Sequence, residues 1–193
     1  SVVNALSEWL EVEVQREGKI HFMRFERGKT VTELQVIGKT RKTGTKISFK
    51  PDKDIFETLD FDYEVLAQRL RELAFLNKGI HINFDDNRSA DAQKESYKFD
   101  GGLKSFVEYL NKNKEPLHKK IIYLEHTKED LSQVELALQF HDGYNEMILS
   151  FANNIRTNEG GTHEMGFKMA LTRLFNDYAR KQNILKENEA NVS

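Results

Sequence analysis

Leu10, Val12 and Val14 alternate with Glu11, Glu13 and Gln15. A period of two places every second side chain on one face of a strand, so this stretch has one apolar and one solvated face. Glu17-Gly18-Lys19 is a turn, and residues 20–26 form the return arm of a hairpin. Arg27-Gly28-Lys29 turns the chain again into a strand expected over 31–37. Thr43-Gly44-Thr45 leads a fourth strand over 46–50, closed by Pro51-Asp52. The first 50 residues therefore predict an antiparallel sheet, preceded by a short helix end at Ser1-Val2-Val3-Asn4-Ala5-Leu6-Ser7.

Helical periodicity then takes over. Tyr63, Leu66, Ala67, Leu70, Leu73 and Ala74 fall on one face after the N-cap candidate Asp62, and Gly79 is the stop signal. Ile80, Ile82 and Phe84 alternate as a strand, 85–94 is polar and predicts a loop, and Tyr97-Lys98-Phe99 pairs back. The texture changes at Asp100-Gly101-Gly102, which marks a domain boundary between 1–99 and 100–193. Beyond it Leu103, Phe106, Val107 and Leu110 predict a helix that Pro116 prevents from continuing. Strands are expected over 120–125, 134–140 and 146–153, with His141-Asp142-Gly143 as a hairpin turn. Asn153-Asn154 and Gly160-Gly161 read as the junction into a final helix over 162–182.

Composition narrows the function classes. The 29 basic and 31 acidic side chains leave a net charge of -2, so any contact with nucleic acid must come from a local patch. With no Cys there are no disulfides, thiol nucleophiles or thiolate metal sites, as suits a cytoplasmic protein. No apolar run approaches the roughly 20 residues of a membrane helix. The six His residues show neither H-x-x-x-H nor H-E-x-x-H spacing, and no P-loop, G-x-G-x-x-G or G-x-S-x-G occurs. No self-sufficient catalytic constellation and no metal site is visible. The chain opens without Met in the middle of an element, which predicts an internal piece of a larger protein.

Five ordered blocks carry a resemblance: Ser1 to Ser7, Lys42-Thr43-Gly44-Thr45, Leu70-Arg71-Glu72-Leu73-Ala74-Phe75-Leu76-Asn77, Phe106-Val107-Glu108-Tyr109-Leu110-Asn111, and Asn153-Asn154-Ile155 with Gly160-Gly161-Thr162-His163. Together they resemble the ATPase half of the B subunits of DNA gyrase, a family whose topoisomerase IV paralogues share most of them. The resemblance implies an α+β fold in two parts. Residues 1–99 would be the C-terminal part of a GHKL-type ATPase domain, a helix-backed mixed sheet. Residues 100–193 would begin a transducer domain similar to the second domain of ribosomal protein S5. It further implies ATP and Mg2+ as cofactors, a gyrase A-subunit partner in an A2B2 assembly, dimerisation of B subunits on ATP binding, and double-stranded DNA as substrate. The general base, magnesium ligand, adenine-reading Asp and phosphate lid would precede Ser1, and a γ-phosphate lysine would follow Ser193. The isolated piece would therefore be inactive.

The resemblance also singles out residues. Thr45 matches the family's threonine that shares a water with the adenine edge, a role its hydroxyl can fill as donor and acceptor. From the strand pattern alone Thr45 is an ordinary β-branched strand residue. Gly44 precedes it, and Ile47 lies two positions on, on the same face, where it would line the adenine pocket or ordinary core. Ser1 starts the helix after the lid, and helix N-termini attract anions. Lys168, Arg173 and Arg180 on the last helix are DNA-contact candidates by resemblance and a solvated helix face by pattern. His163 reads as a structural histidine. Two other classes stay open: a non-catalytic S5-like module binding RNA or protein, against which the charge weighs, and another GHKL family, against which the Gly160 to His163 block weighs.

Overall fold

The computed structural model describes residues 1–89, 92–186 and 188–192. It is an α+β chain that divides into two compact units, Ser1–Asp62 and Tyr63 onward. Every strand pair among the described residues is antiparallel.

The first unit opens with α1 (Val2–Ala5) and is otherwise an open sheet of β1 (Ser7–Arg16), β2 (Lys19–Glu26), β3 (Lys29–Thr30), β4 (Gln35–Lys39) and β5 (Gly44–Pro51). The order is β3-β2-β1-β5, with β4 also on β2. The turns expected at 17–19 and 27–29 form as two-residue loops with positive φ at each position, 52° and 78° at Glu17-Gly18 and 48° and 81° at Arg27-Gly28, while Lys19 and Lys29 begin the next strands. That is the backbone twist a tight hairpin needs. The strand expected over 31–37 is corrected to β4. The amides of Val31 and Thr32 both donate to Arg24 O, and Thr32 Oγ1 accepts from Arg24 N, so local bonds interrupt the ladder until Gln35. Asp52 closes the unit. Its buried carboxylate accepts from Asp54 N at 3.0 Å and from Arg27 Nε at 2.7 Å. The amide bond first, and then Arg27, hold it below the usual carboxylate range against the opposing effect of burial.

The second unit contains α2 (Tyr63–Leu76), the hairpin β6 (Ile82–Asp86) with β7 (Gln93–Tyr97), α3 (Leu103–Leu110), and the hairpin β8 (Ile122–Thr127) with β9 (Gln133–Leu138). A two-stranded turn β10 (Phe151–Ala152) with β11 (Ile155–Arg156) then leads to α4 (Thr162–Lys181). Within the stretch expected to be a loop, 85–86 and 93–94 belong to β6 and β7, and residues 90 and 91 lie outside the described residues. The core is aromatic. Phe75 of α2 stacks on Phe99 and on Phe106 of α3, with ring centroids 3.6 and 4.8 Å apart. The 99/100 position expected as a domain boundary lies inside this unit, and the stacked rings come from both sides of it.

The strand expected over 146–153 is corrected to two residues. The end of β9 turns instead to 115–118: Leu117 N donates to Phe140 O, Phe140 N donates to His118 Nε2, and Pro116 pairs with His141. His141-Asp142-Gly143 is therefore not a hairpin turn into a third strand. Asn153-Asn154 is corrected as well. It is the two-residue tip of the β10–β11 hairpin, with φ of 49° and 64°, where asparagine tolerates the left-handed region better than most residues.

Candidate functional site

In the first unit the ladder register fixes which side chains share a face. Leu10 pairs with Phe25 and Phe49, Val12 with Met23 and Ile47, and Val14 with His21 and Thr45. Side chains directly opposite in an antiparallel ladder lie on the same side. Three cross-strand rows therefore make one face apolar, and it ends in Val14, His21 and Thr45. The reverse face carries Trp9, Glu11, Glu13, Arg24 and Lys46, with Arg24 bonded to Glu11 and set over the Trp9 ring. On the apolar face Leu10 is buried, yet Ile47 is 59% exposed and Phe49 44% exposed. β5 is the sheet edge there, so Gly44, Thr45 and Ile47 border an open apolar shelf with a hydroxyl at its end.

Ser1 caps the chain's first element. Its Oγ accepts from Asn4 N at 3.3 Å as the N-cap of the four-residue α1. Asn4 Oδ1 is buried with no hydrogen-bond partner.

In the second unit the three basic candidates on α4 are all engaged within the chain. Lys168 Nζ contacts Glu164 at 3.2 Å and Glu146 at 3.3 Å. Arg173 pairs with Asp177 one turn away at 3.6 Å. Arg180 donates to Lys186 O, Glu189 O and Asn191 Oδ1, which ties down the segment after the helix. Lys168 and Arg173 remain on exposed surface, and ion pairs of that kind are readily exchanged for other partners.

The Gly160 to His163 block forms the entry of α4. Gly160 has φ of 74°. Glu164 Oε2 accepts from Ser150 Oγ at 2.6 Å, Ser150 Oγ meets Thr157 Oγ1 at 2.7 Å, and Thr157 Oγ1 meets His163 Nε2 at 3.1 Å. The Ser150 proton goes to the carboxylate, and the Thr157 hydroxyl donates to Ser150, whose backbone carbonyl also lies 3.0 Å away, so the Thr157–His163 contact uses an imidazole N–H at Nε2. His163 is thus a donor in a closed polar chain. The Ser150 hydroxyl first, and then Lys168, hold the Glu164 carboxyl below its ordinary range.

A second polar cluster was not legible in the sequence. Glu72, buried on α2, meets Arg69 at 3.2 Å and Arg156 of β11 at 3.8 Å. Arg69 Nη2 donates to Asn154 O at 2.8 Å, and Asn154 Nδ2 donates to Asn77 Oδ1 at 2.8 Å. These partners are 77 and 85 positions apart, and no spacing rule reaches that far. A third cluster gathers on Glu95, which accepts from Tyr63, Tyr97 and Arg71. Burial first, and then Glu95, raise the Tyr97 hydroxyl to about 12.

Among the described residues no three His, Asp or Glu side chains gather as a metal-ligand set, and no helix is long and apolar enough to cross a membrane. A family profile described as DNA gyrase B matches residues 102–193. The crystal structure of the 43K ATPase domain of Thermus thermophilus gyrase B, in complex with an aminocoumarin, is 40% identical with a TM-score of 0.81. It covers all of this chain and 52% of that one. The B-subunit of the DNA gyrase from Myxococcus xanthus is 27% identical at the same TM-score, over 91% of this chain and 51% of that one. The fold is that found in the ATPase region of gyrase-type B subunits. The DNA gyrase B protein of Halalkalibacterium halodurans is 56% identical across the whole chain, which spans 30% of that relative's length. The chain belongs to the DNA gyrase B family.

Proposed function

We propose that this chain is a working stretch of the ATP-operated B subunit of a DNA gyrase, which negatively supercoils DNA by driving one duplex through another. The observation that carries the reading is the open apolar shelf on β1, β2 and β5. Thr45 stands at its end, with Ile47 beside it on the same face. An adenine ring needs a flat apolar bed and a polar edge, and the shelf supplies both. Thr45 hydrogen-bonds the adenine edge through a water and Ile47 packs on the ring, with Gly44 opening the strand that carries both. Ser1, capping α1, is the proposed neighbour of the phosphates.

In this reading 1–99 is the C-terminal part of a GHKL ATPase domain and 100–193 the N-terminal part of an S5-like transducer. The transducer converts nucleotide state into rotation of the B subunits. ATP is bound with Mg2+, which in this reading is held by groups outside this stretch. The base would come from outside it too, so the 193-residue chain alone hydrolyses no ATP. Partners are a second copy of the B subunit, an A subunit in an A2B2 assembly, and double-stranded DNA, which Lys168, Arg173 and Arg180 meet through its phosphates. The proposed compartment is the cytoplasm.

The test uses the intact protein with an A-subunit partner. DNA-stimulated ATP hydrolysis together with negative supercoiling supports the reading. An intact protein that binds no ATP and leaves DNA topology unchanged overturns it. Decatenation without supercoiling would instead assign the chain to the topoisomerase IV branch.

A further inference from the structure

The β10–β11 hairpin is held at both ends by elements that do not touch its strands in the ladder. At the tip, Asn154 gives its carbonyl to Arg69 and its side-chain amide to Asn77, while Arg156 reaches the buried Glu72. All three of those partners lie on α2 or within a residue of its end. Asn77 is itself anchored, its Nδ2 donating to Leu73 O at 2.8 Å. At the base, Thr157 N donates to Ser150 O at 2.9 Å, and the Ser150 and Thr157 hydroxyls run on to Glu164 and His163 in the first turn of α4. Glu164 continues to Lys168. Polar contacts thus pass without a gap from α2, through a short hairpin, to the basic Lys168 of α4.

We propose that this hairpin is a mechanical coupler between α2 and α4, with Asn154 and Glu164 as its positioning residues. A hairpin this short has no length in which to absorb a displacement, and both tip residues already sit in the left-handed region. Movement of α2 therefore carries the tip, and the tip carries the first turn of α4. Glu72 makes the tip contact stiff. A buried carboxylate cannot leave both of its arginines without remaining unpaired away from water. The coupler rests on the proposed function only in what it would serve, namely passing a nucleotide-driven shift of the ATPase part to the DNA-facing helix.

A sequence of contacts is not by itself coupling, so the test is a double-mutant cycle. Asn154→Gly keeps the positive φ without strain and removes the bond to Asn77, and Glu164→Gln keeps the shape but removes the charge. Hydrogen exchange on the intact protein is read at peptides covering 150–157 and 161–168 in both single variants and the double. The expected result is that N154G speeds exchange at the start of α4 at least tenfold, E164Q does the same at the hairpin, and the double variant adds less than the sum. If each substitution loosens only its own end, or the two effects are independent, the coupler is overturned. In the same variants, N154G is expected to hold DNA-stimulated ATP hydrolysis within about twofold while supercoiling per ATP falls at least threefold. A parallel loss of both, or no loss, overturns the coupling role. A wild-type protein with neither activity would overturn the proposed function instead, and the exchange cycle would still decide the coupler.

Discussion

Replacing Phe75 by Ala should be the most damaging single truncation in the second unit. The side chain is 2% exposed, and its ring lies 3.6, 4.8 and 5.5 Å from the centroids of Phe99, Phe106 and Tyr109. Phe→Ala in a packed core costs about 3–5 kcal/mol through lost transfer energy and the cavity left behind. Phe75→Leu keeps most of the volume and chiefly forfeits the ring contacts. At about 0.5–1.5 kcal/mol for each of the two stacked pairs, that amounts to roughly 1–3 kcal/mol. Phe175→Ala is the control, because that ring is 48% exposed; it should cost under about 1 kcal/mol. Urea denaturation followed by far-ultraviolet circular dichroism gives all three values, provided the slope with denaturant is unchanged. A Phe75→Ala cost below about 1.5 kcal/mol, or a Leu variant as damaged as the Ala one, would refute a core built on stacked aromatics.

Other expectations follow from single groups. Tyr97, raised to about 12 from an unfolded value near 10, is protonated more readily in the folded chain. Its contribution is complete below pH ~10 and is lost as pH rises through ~12, and Tyr97→Phe should abolish that alkaline loss in a denaturation series. Glu164 behaves in the opposite sense: its folded pKa is depressed from the ordinary 4.5, so its contribution is present above that pH and disappears as pH falls through the lower folded value. Comparing wild type with Glu164→Gln across acid pH checks this, since the variant should show the shallower dependence. Gly18→Ala meets open space but must hold a φ of 78°, so it should cost about 1 kcal/mol. Gly28→Ala carries the same strain and brings its Cβ only into ordinary contact with Ala5 at 3.4 Å, so it should cost about as much as the Gly18 variant.

Much of this fold is local, and the local part is what the sequence declares. The alternation through Leu10, Val12 and Val14 located β1, the Glu17-Gly18 and Arg27-Gly28 turns located β2, and the apolar stripes located α2, α3 and α4. Pattern failed where a distant partner decides. The 31–37 stretch is apolar enough for a strand, but Thr32 competes for the Arg24 amide and delays pairing. The 146–153 stretch loses its neighbour because the end of β9 bonds to 117–118. Asn153-Asn154 stood out by its unusual residues, and its role as a hairpin tip depends on Arg69 and Asn77, which no local rule connects to it. The alignment of Thr45 and Ile47 on one face was readable from their spacing. The shelf they border needed the register of three strands.

The most direct measurement is nucleotide binding by the intact protein, comparing wild type with Thr45→Val by calorimetry using a non-hydrolysable ATP analogue. Valine keeps the branched shape and removes the hydroxyl at the end of the shelf. Losing one hydrogen bond worth about 1–2 kcal/mol should weaken the Kd roughly 5- to 30-fold with the thermal transition unchanged. Equal affinity in the two proteins would contradict the placement of an adenine on this face.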